Sequence, residues 1–465
     1  MGGNPRQGGI SLEQRSIDFI PEGERHGQPN TLFTLWFASN VQITAVATGA
    51  LAVVLGLNLE WAIITILVGN LLGGLFMAYH SIQGPKMGVP QMIQSRAQFG
   101  MFGATLPVLV VLLMYVGFFV SSGILGGQAI GSLFHISTPL GIVIADAAVL
   151  LLTWVGYDLF HAYDRVVSVL SFVIFLVLLV KLAGMMPAHP PKATITLGTV
   201  LLVTSIFAAW QITWAPYVSD YSRYLPRSTP SVRTFWYTYL GSAVGACFIM
   251  IVGAVAAVVA ESQISSNAPD YLAGLFPQVK WLFLLIILLG VFAANLENLY
   301  GAFLTAFTSL SPSGKLAAGP RGRIIATTVV AALATVIAIA ASSNFLTNLT
   351  NFVLFLLYFL IPWTAINLTD YYLVRRGRYD IEGIFKVDGP YGRVNWTALA
   401  IYAITVVVEL PFMNSTFFEG PVAKALGGGD IAWIVGLVVA GGLYYASQRS
   451  TMVEGPAPST SASQP

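Results

Sequence analysis

Charge is the scarcest ingredient of this sequence: Asp, Glu, Lys and Arg make up 9% of its 465 residues. Soluble domains carry about 25%, so a soluble globular protein is excluded. Cysteine is nearly absent as well. Cys247 is the only one and falls in an apolar run, which rules out disulfides within the chain and leaves no thiol pair for redox chemistry. Five scattered histidines and one cysteine leave no metal-ligand spacing. The motifs HExxH, GxSxG and the phosphate-binding Walker loop are all missing. An enzyme and an ATP-driven pump are therefore not expected, nor is any cofactor or nucleic-acid partner.

Hydrophobic residues are abundant, at 56% of the chain. A membrane-crossing helix needs about 20 mostly apolar residues, and such runs recur near 32–56, 60–80, 104–132, 139–157, 164–184, 198–220, 236–261, 280–308, 322–341, 345–370, 396–412 and 430–448. These predict about twelve transmembrane helices, because lipid offers no partner to an unpaired backbone group. The expected fold is an all-α integral membrane protein whose environment is the lipid bilayer.

The placement of the basic residues sets the expected orientation. With the N-terminus in the cytoplasm, 18 of the 22 Lys and Arg fall inside, leaving Lys181, Lys192, Lys280 and Lys424 outside. Basic residues favour cytoplasmic loops, so both termini are expected there, in a multi-pass protein of the plasma (inner) membrane. The first thirty residues lack the apolar core of a signal peptide and read as a cytoplasmic segment. Residues 31–450 read as one membrane-embedded domain and 451–465, rich in Pro, Ser and Ala, as a disordered tail.

Polar residues inside spans are costly and usually face an interior or a watery cavity. The first span carries Ser39, Asn40, Gln42 and Thr44 near its middle. The sixth turns from "TLGTVLLVTSIFAAW" to "QITWAPYVSDYSRY", with Trp210, Gln211, Trp214 and Pro216 in sequence. Proline removes a backbone donor and disrupts a helix interior. Both spans contain Gln-Ile-Thr, at 42–44 and 211–213, five spans apart. Paired interruptions of this kind mark transporters built from inverted repeats. The pattern predicts a five-plus-five arrangement with helices 1 and 6 discontinuous. Repeat one covers about 31–184, repeat two about 198–370, and extra helices about 396–448.

Two further spans supply candidate binding groups. In the third, Phe118, Ser122 and Gly126 recur every four residues and share a helix face. In the eighth, Asn295 and Asn298 lie near one face, with Glu297 about 100° away from Asn298. Amides offer a donor and an acceptor together, and aromatic faces suit a flat ligand. A carboxyl in hydrocarbon suggests a proton-binding site, so Glu297 is the candidate for ion coupling. Asp220 and Arg223, at the inner end of the sixth span, are candidate gating residues. Asp146, in the fourth span, has no assigned role.

Taken in order, "IDFIPEGERHG", "WFASNVQITAVATGALA", "GFFVSSGILGGQ" and "WAPYVSDYSRY" resemble the purine-cytosine permease branch of the nucleobase:cation symporter-1 family. The resemblance implies twelve helices, a leucine-transporter-like inverted repeat, and a substrate held between spans one, three, six and eight. Members typically carry Gly-Trp and, four residues later, Asn in span three; here stand Gly117, Phe118 and Ser122. Asn298 matches the base-reading amide of span eight, where fungal members have Pro-Asn-x-Tyr and this chain has Glu297-Asn298-Leu299-Tyr300. Trp214 matches the fungal tryptophan of span six, whereas sodium-coupled relatives point to Trp210 and Gln211. Those relatives place hydroxyls on span eight where this chain has Phe292-Ala293. Hard cations need oxygen ligands, so a proton is preferred over sodium as the coupling cation.

The expected function is thus proton-coupled import of a small planar nitrogen heterocycle, a nucleobase such as cytosine or a purine. Alternatives are a hydantoin, allantoin or a thiamine- or pyridoxine-type vitamin, a sodium-coupled member, an amino-acid carrier or a membrane sensor. The expected substrate-binding residues are Ser39, Asn40, Gln42, Phe118, Ser122, Trp210, Gln211, Trp214 and Asn298.

Overall fold

A computed structural model describes residues 18–155, 160–188, 193, 195–310 and 320–449. The proposed tail at 451–465 and residues 1–17 of the N-terminal segment lie outside the described residues. Among the described residues all regular structure is helical.

The first span is broken. Helix α1 (Thr31–Asn40) and α2 (Ile43–Val54) meet at a 62° bend across Val41 and Gln42. Polar side chains take over the backbone carbonyls there. Ser39 Oγ donates to Leu35 O, Asn40 Nδ2 to Trp36 O, and Gln42 Nε2 to Ser39 O, at 2.7–3.0 Å. Such local bonds compete with the helical ladder. Gln42 itself is extended (φ −143°, ψ 159°), which ends α1 and restarts α2.

Helix α3 (Leu59–Ser81) starts on Asn58, whose side chain accepts from Trp61 N at 3.0 Å. Three short helices follow, α4 (Gln83–Met87), α5 (Gln91–Gln94) and α6 (Arg96–Phe99), in a buried segment rich in Gln. Long helices then dominate: α7 (Thr105–Phe134), α8 (Thr138–Val155), α9 (Phe160–Ala183) and α10 (Leu197–Ile212). A tight turn at Ala215–Tyr217 leads into α11 (Val218–Ser222).

The sixth span is discontinuous, as expected, though bent less than the first. It is interrupted at Pro216, yet Leu197–Ser222 still runs on without a wide bend. Pro216 stands in the first turn after the interruption, where a missing N–H costs little, so the helix tightens instead of folding back.

Next come α12 (Ser231–Ser266), kinked at Ala260, then α13 (Ala268–Gly274), α14 (Lys280–Leu310) and α15 (Pro320–Ala341). The chain closes with α16 (Phe345–Thr369), α17 (Trp396–Glu409), α18 (Pro421–Ala425) and α19 (Ala432–Ser447). Among the described residues seven helical stretches are long and apolar enough to cross a membrane, and the bent α1–α2 pair makes an eighth. One of the seven, Arg321–Val374, contains both α15 and α16. Three shorter apolar helices complete the set, at Thr138–Trp154, Trp396–Phe412 and Ala432–Ser447. They follow the order of the expected spans.

Two bundles face each other. Helices α1, α2, α3, α10 and α12 pack together, as do α7, α8, α14 and α15. Lipid supplies no hydrophobic drive for this, so close approach through small residues takes over. At Gly49 an added Cβ would lie 2.0 Å from Met250 O, and at Gly253 it would lie 1.9 Å from Val46 O. The α2–α12 crossing is backbone against backbone.

Candidate functional site

A cavity of about 690 Å³ lies between the two bundles. That is within the usual range for small-molecule sites, about 300–1,000 Å³. The break of the first span contributes Gln42, and α1 adds Thr31, Leu32 and Leu35. Helix α7 contributes Tyr115, Phe118 and Ser122 from one face. Trp210, Trp214, Tyr217 and Asp220 come from the sixth span, and Glu297, Asn298 and Tyr300 from α14. His26, Arg223 and Arg323 also line it, so the cavity runs towards the basic end of the protein.

Aromatic rings form one stretch of its wall. Phe118 meets Trp210 edge-on at 5.8 Å, and Trp210 meets Trp214 at 6.2 Å. Tyr115 and Tyr217 approach to 5.4 Å. Edge-to-face packing of this kind is favourable and holds the rings as fixed walls. Polar groups are spaced between them. Ser122 Oγ is 3.0 Å from Thr44 Oγ1. Asn298 Nδ2 donates to Asn295 Oδ1 at 3.4 Å, and Asn295 is itself anchored on Phe119 O at 3.1 Å. Trp214 Nε1 is buried with no hydrogen-bond partner.

Of the residues expected at the substrate, Gln42, Phe118, Ser122, Trp210, Trp214 and Asn298 line this cavity. Three others do not. Asn40 is fully buried behind the wall, where its Oδ1 accepts from Trp210 Nε1 at 2.7 Å and its Nδ2 donates to Ser242 Oγ at 3.2 Å. Gln211 is buried among Asn70 and Ser242: it donates to Asn70 Oδ1 at 2.9 Å and accepts from Ser242 Oγ at 2.7 Å. Ser39 spends its hydroxyl on Leu35 O and points into a separate pocket. Their polar groups are engaged within the protein, away from the cavity lining.

That second pocket, about 40 Å³, sits against the helix break. It is lined by Ser39, Val41 and Gln42, by Ser168 and Ser171 of α9, and by Glu297. Glu297 thus borders both spaces. The pocket has room for a water molecule or two, and its oxygen-bearing lining makes it the place that could hold a small cation. Among the described residues no cluster of His, Cys, Asp and Glu suits a metal ion.

Asp220 Oδ1 accepts from Gln91 N at 2.7 Å, and Arg223 donates to the carbonyls of Asp220 and Asp18 at 3.2 and 3.1 Å. Both candidate gating residues therefore tie the C-terminal end of the sixth span to neighbouring segments. Tyr115, Tyr217 and Tyr221 were not anticipated in the cavity. Tyr115 precedes Phe118 by three residues and Ser122 by seven, a helical spacing that would have found it.

Residues 19–436 match the family model described as a permease for cytosine/purines, uracil, thiamine and allantoin. The chain belongs to this family. It is 44% identical over 443 residues to a putative purine-cytosine permease, YxlA, of Bacillus subtilis (strain 168), covering 95% of this chain and 96% of that one. Purine-cytosine permease FCY21 of Saccharomyces cerevisiae is 28% identical over 92% of this chain and 84% of its own. The fold is that of Mhp1, a nucleobase-cation-symport-1 family transporter solved in a closed conformation with bromovinylhydantoin bound. That structure aligns with a TM-score of 0.74 at 19% identity, over 95% of this chain and 96% of that one. The permease is thus a multi-pass membrane transporter of the secondary type with the leucine-transporter-like architecture, and not an enzyme. A small-molecule substrate and a coupling cation come with the family.

Proposed function

We propose that the protein imports a nucleobase, cytosine or a purine, by alternating access, with a proton as the coupling ion. It is read as a plasma-membrane protein with both termini in the cytoplasm, built from repeats at about 31–184 and 198–370. The observation that carries the substrate is the wall itself: Phe118, Trp210 and Trp214 around one cavity, with Gln42, Ser122 and Asn298 between them. A flat heterocycle presents two apolar faces and a polar edge, and this lining offers a partner to each.

Magnitudes favour so enclosing a site. Cytosine has about eight non-hydrogen atoms, so micromolar affinity, about −8 kcal/mol, asks for about 1 kcal/mol per atom. That approaches the ceiling of about 1.5 kcal/mol per atom for the best small ligands. Contact on one face alone falls short of it.

Glu297 is the proposed proton carrier. It borders the substrate cavity and the pocket at the helix break, so its charge state acts on both. Ser168, Ser171 and Ser39 beside it support a second reading, in which sodium takes the small pocket, since hard cations favour oxygen ligands.

The test is uptake of labelled cytosine into proteoliposomes under an imposed pH gradient. Unlabelled purines, hydantoins, allantoin and vitamins serve as competitors. Accumulation that follows the gradient supports the proton-coupled reading. Uptake that requires sodium moves the coupling to the small pocket, and the absence of any uptake refutes cytosine as substrate.

A further inference from the structure

Asp146 lies in the middle of α8, is 2% exposed, and is the only titratable residue on that helix. Its Oδ2 is 2.8 Å from Thr335 Oγ1 on α15. Its Oδ1 has no hydrogen-bond partner and lies against Gly123 of α7, where an added Cβ would come within 2.8 Å of it. The Thr335 hydroxyl carries one hydrogen, and Ala331 O is placed to accept it at 2.8 Å. What Thr335 then turns towards Asp146 is a lone pair.

An ionised carboxylate accepts hydrogen bonds through both oxygens. Here it would have, at most, a share of one hydrogen. Titratable groups on the surrounding helices are few. Helix α7 has Tyr115, about 12 Å along the helix from Gly123, and α15 has Arg321 and Arg323, about 18 Å or more from Thr335 by helical rise. Helix α14 carries Lys280, Glu297 and Tyr300 and packs on α7 through Val291 and Gly126. None of these is an ion-pair or hydrogen-bond partner of Asp146 among the described contacts. Burying an ion so poorly matched is strongly unfavourable. A neutral acid closes the accounting: Oδ2–H donates to Thr335 Oγ1, which donates to Ala331 O.

We propose that Asp146 works as a neutral carboxylic acid that locks α7 to α8 and α15, positioning the cavity wall of Phe118 and Ser122. Ser122 and Gly123 are consecutive on α7: one faces the cavity and the other takes the carboxyl. A carboxylate that must reach for water or a donor displaces α7, and the wall moves with it. Asp146 is a positioning residue in this scheme, and its effect on transport rests on reading the cavity as the substrate site.

The test is counterflow of labelled cytosine with equal pH on both sides, which removes the coupling gradient from the measurement. Asn mimics the neutral acid, because Nδ2 donates where Oδ2–H does. D146N is expected to keep the wild-type KM, and D146A to show a KM raised about tenfold. A D146N variant as impaired as D146A overturns the proposal. Infrared difference spectra of the wild-type protein in lipid give a second readout that needs no substrate. A protonated-carboxyl band that shifts in Thr335→Val and is missing in D146N is expected; its absence overturns the lock. Failure of cytosine to be carried would instead sink the substrate assignment and leave the lock to the infrared result.

Discussion

Trp210 Nε1 donates a 2.7 Å hydrogen bond to Asn40 Oδ1, joining the last turn of α10 to the last residue of α1. The two interrupted spans are therefore fastened to each other beside their breaks. Asn40 also reaches Ser242 of α12, so one amide holds three helices. Its work is to fix an indole that lines the cavity.

Asn40→Ala is accordingly expected to act on the substrate without touching it. The variant leaves a buried indole N–H without an acceptor, which costs about 1–3 kcal/mol. Part of that is relieved if the ring rotates, and the rotation spoils the wall. KM for the transported base should rise about 5- to 100-fold, with maximal counterflow largely kept. An unchanged KM in a folded variant would mean that Trp210 is held by packing alone.

Asn298 and Gln211 make an informative pair, since both are amides that the sequence places in spans. Asn298 lines the cavity; Gln211 is locked into Asn70 and Ser242. Asn298→Ala should raise KM about 10- to 100-fold with little loss of thermal stability, as a lost bond to a substrate edge is worth about 1–3 kcal/mol. Gln211→Leu should do the reverse, lowering the melting temperature in detergent while KM for bound and transported base stays within about threefold. Identical effects of the two variants would remove the distinction.

This pair also shows how far the sequence reaches. Polar residues in apolar runs announce that helices 1, 6 and 8 have something to satisfy, and the break at Val41–Gln42 and the interruption at Pro216 are legible from them. Whether an amide serves a ligand or a neighbour is not legible, because the deciding partners are remote in the chain: Asn70 and Ser242 lie 141 and 31 residues from Gln211. The segment at 83–99 escapes a reading based on apolar length for the same reason. Its short helices are held by side-chain bonds such as Gln83 Nε2 to Asn367 Oδ1 at 2.7 Å, across 284 residues.

Glu297→Gln tests the coupling. The amide keeps the size of the side chain at the border of the two pockets but binds no transferable proton. Accumulation under an inward proton gradient should fall to the level without a gradient, while counterflow at equal pH persists. A variant that still concentrates base in response to the pH gradient would show that the proton is carried elsewhere.

Gly253→Val probes the frame in which these motions take place. An added Cβ at Gly253 would sit 1.9 Å from Val46 O and 2.9 Å from Ala50 N, against backbone that cannot rotate away. The reciprocal contact, Gly49 against Met250, closes the same crossing. Overpacking ordinarily costs about 1–3 kcal/mol, and more where only backbone can yield. Two outcomes separate a static crossing from a moving one. If α2 and α12 stay packed through the transport cycle, Gly253→Val should lower the melting temperature and the amount of folded protein, and leave KM of the surviving fraction unchanged. If they part during the cycle, the variant should favour the parted state, and KM should change along with stability. The close backbone approach in two places favours the first outcome, because a crossing that reopened each cycle would have to give up and regain both contacts each time.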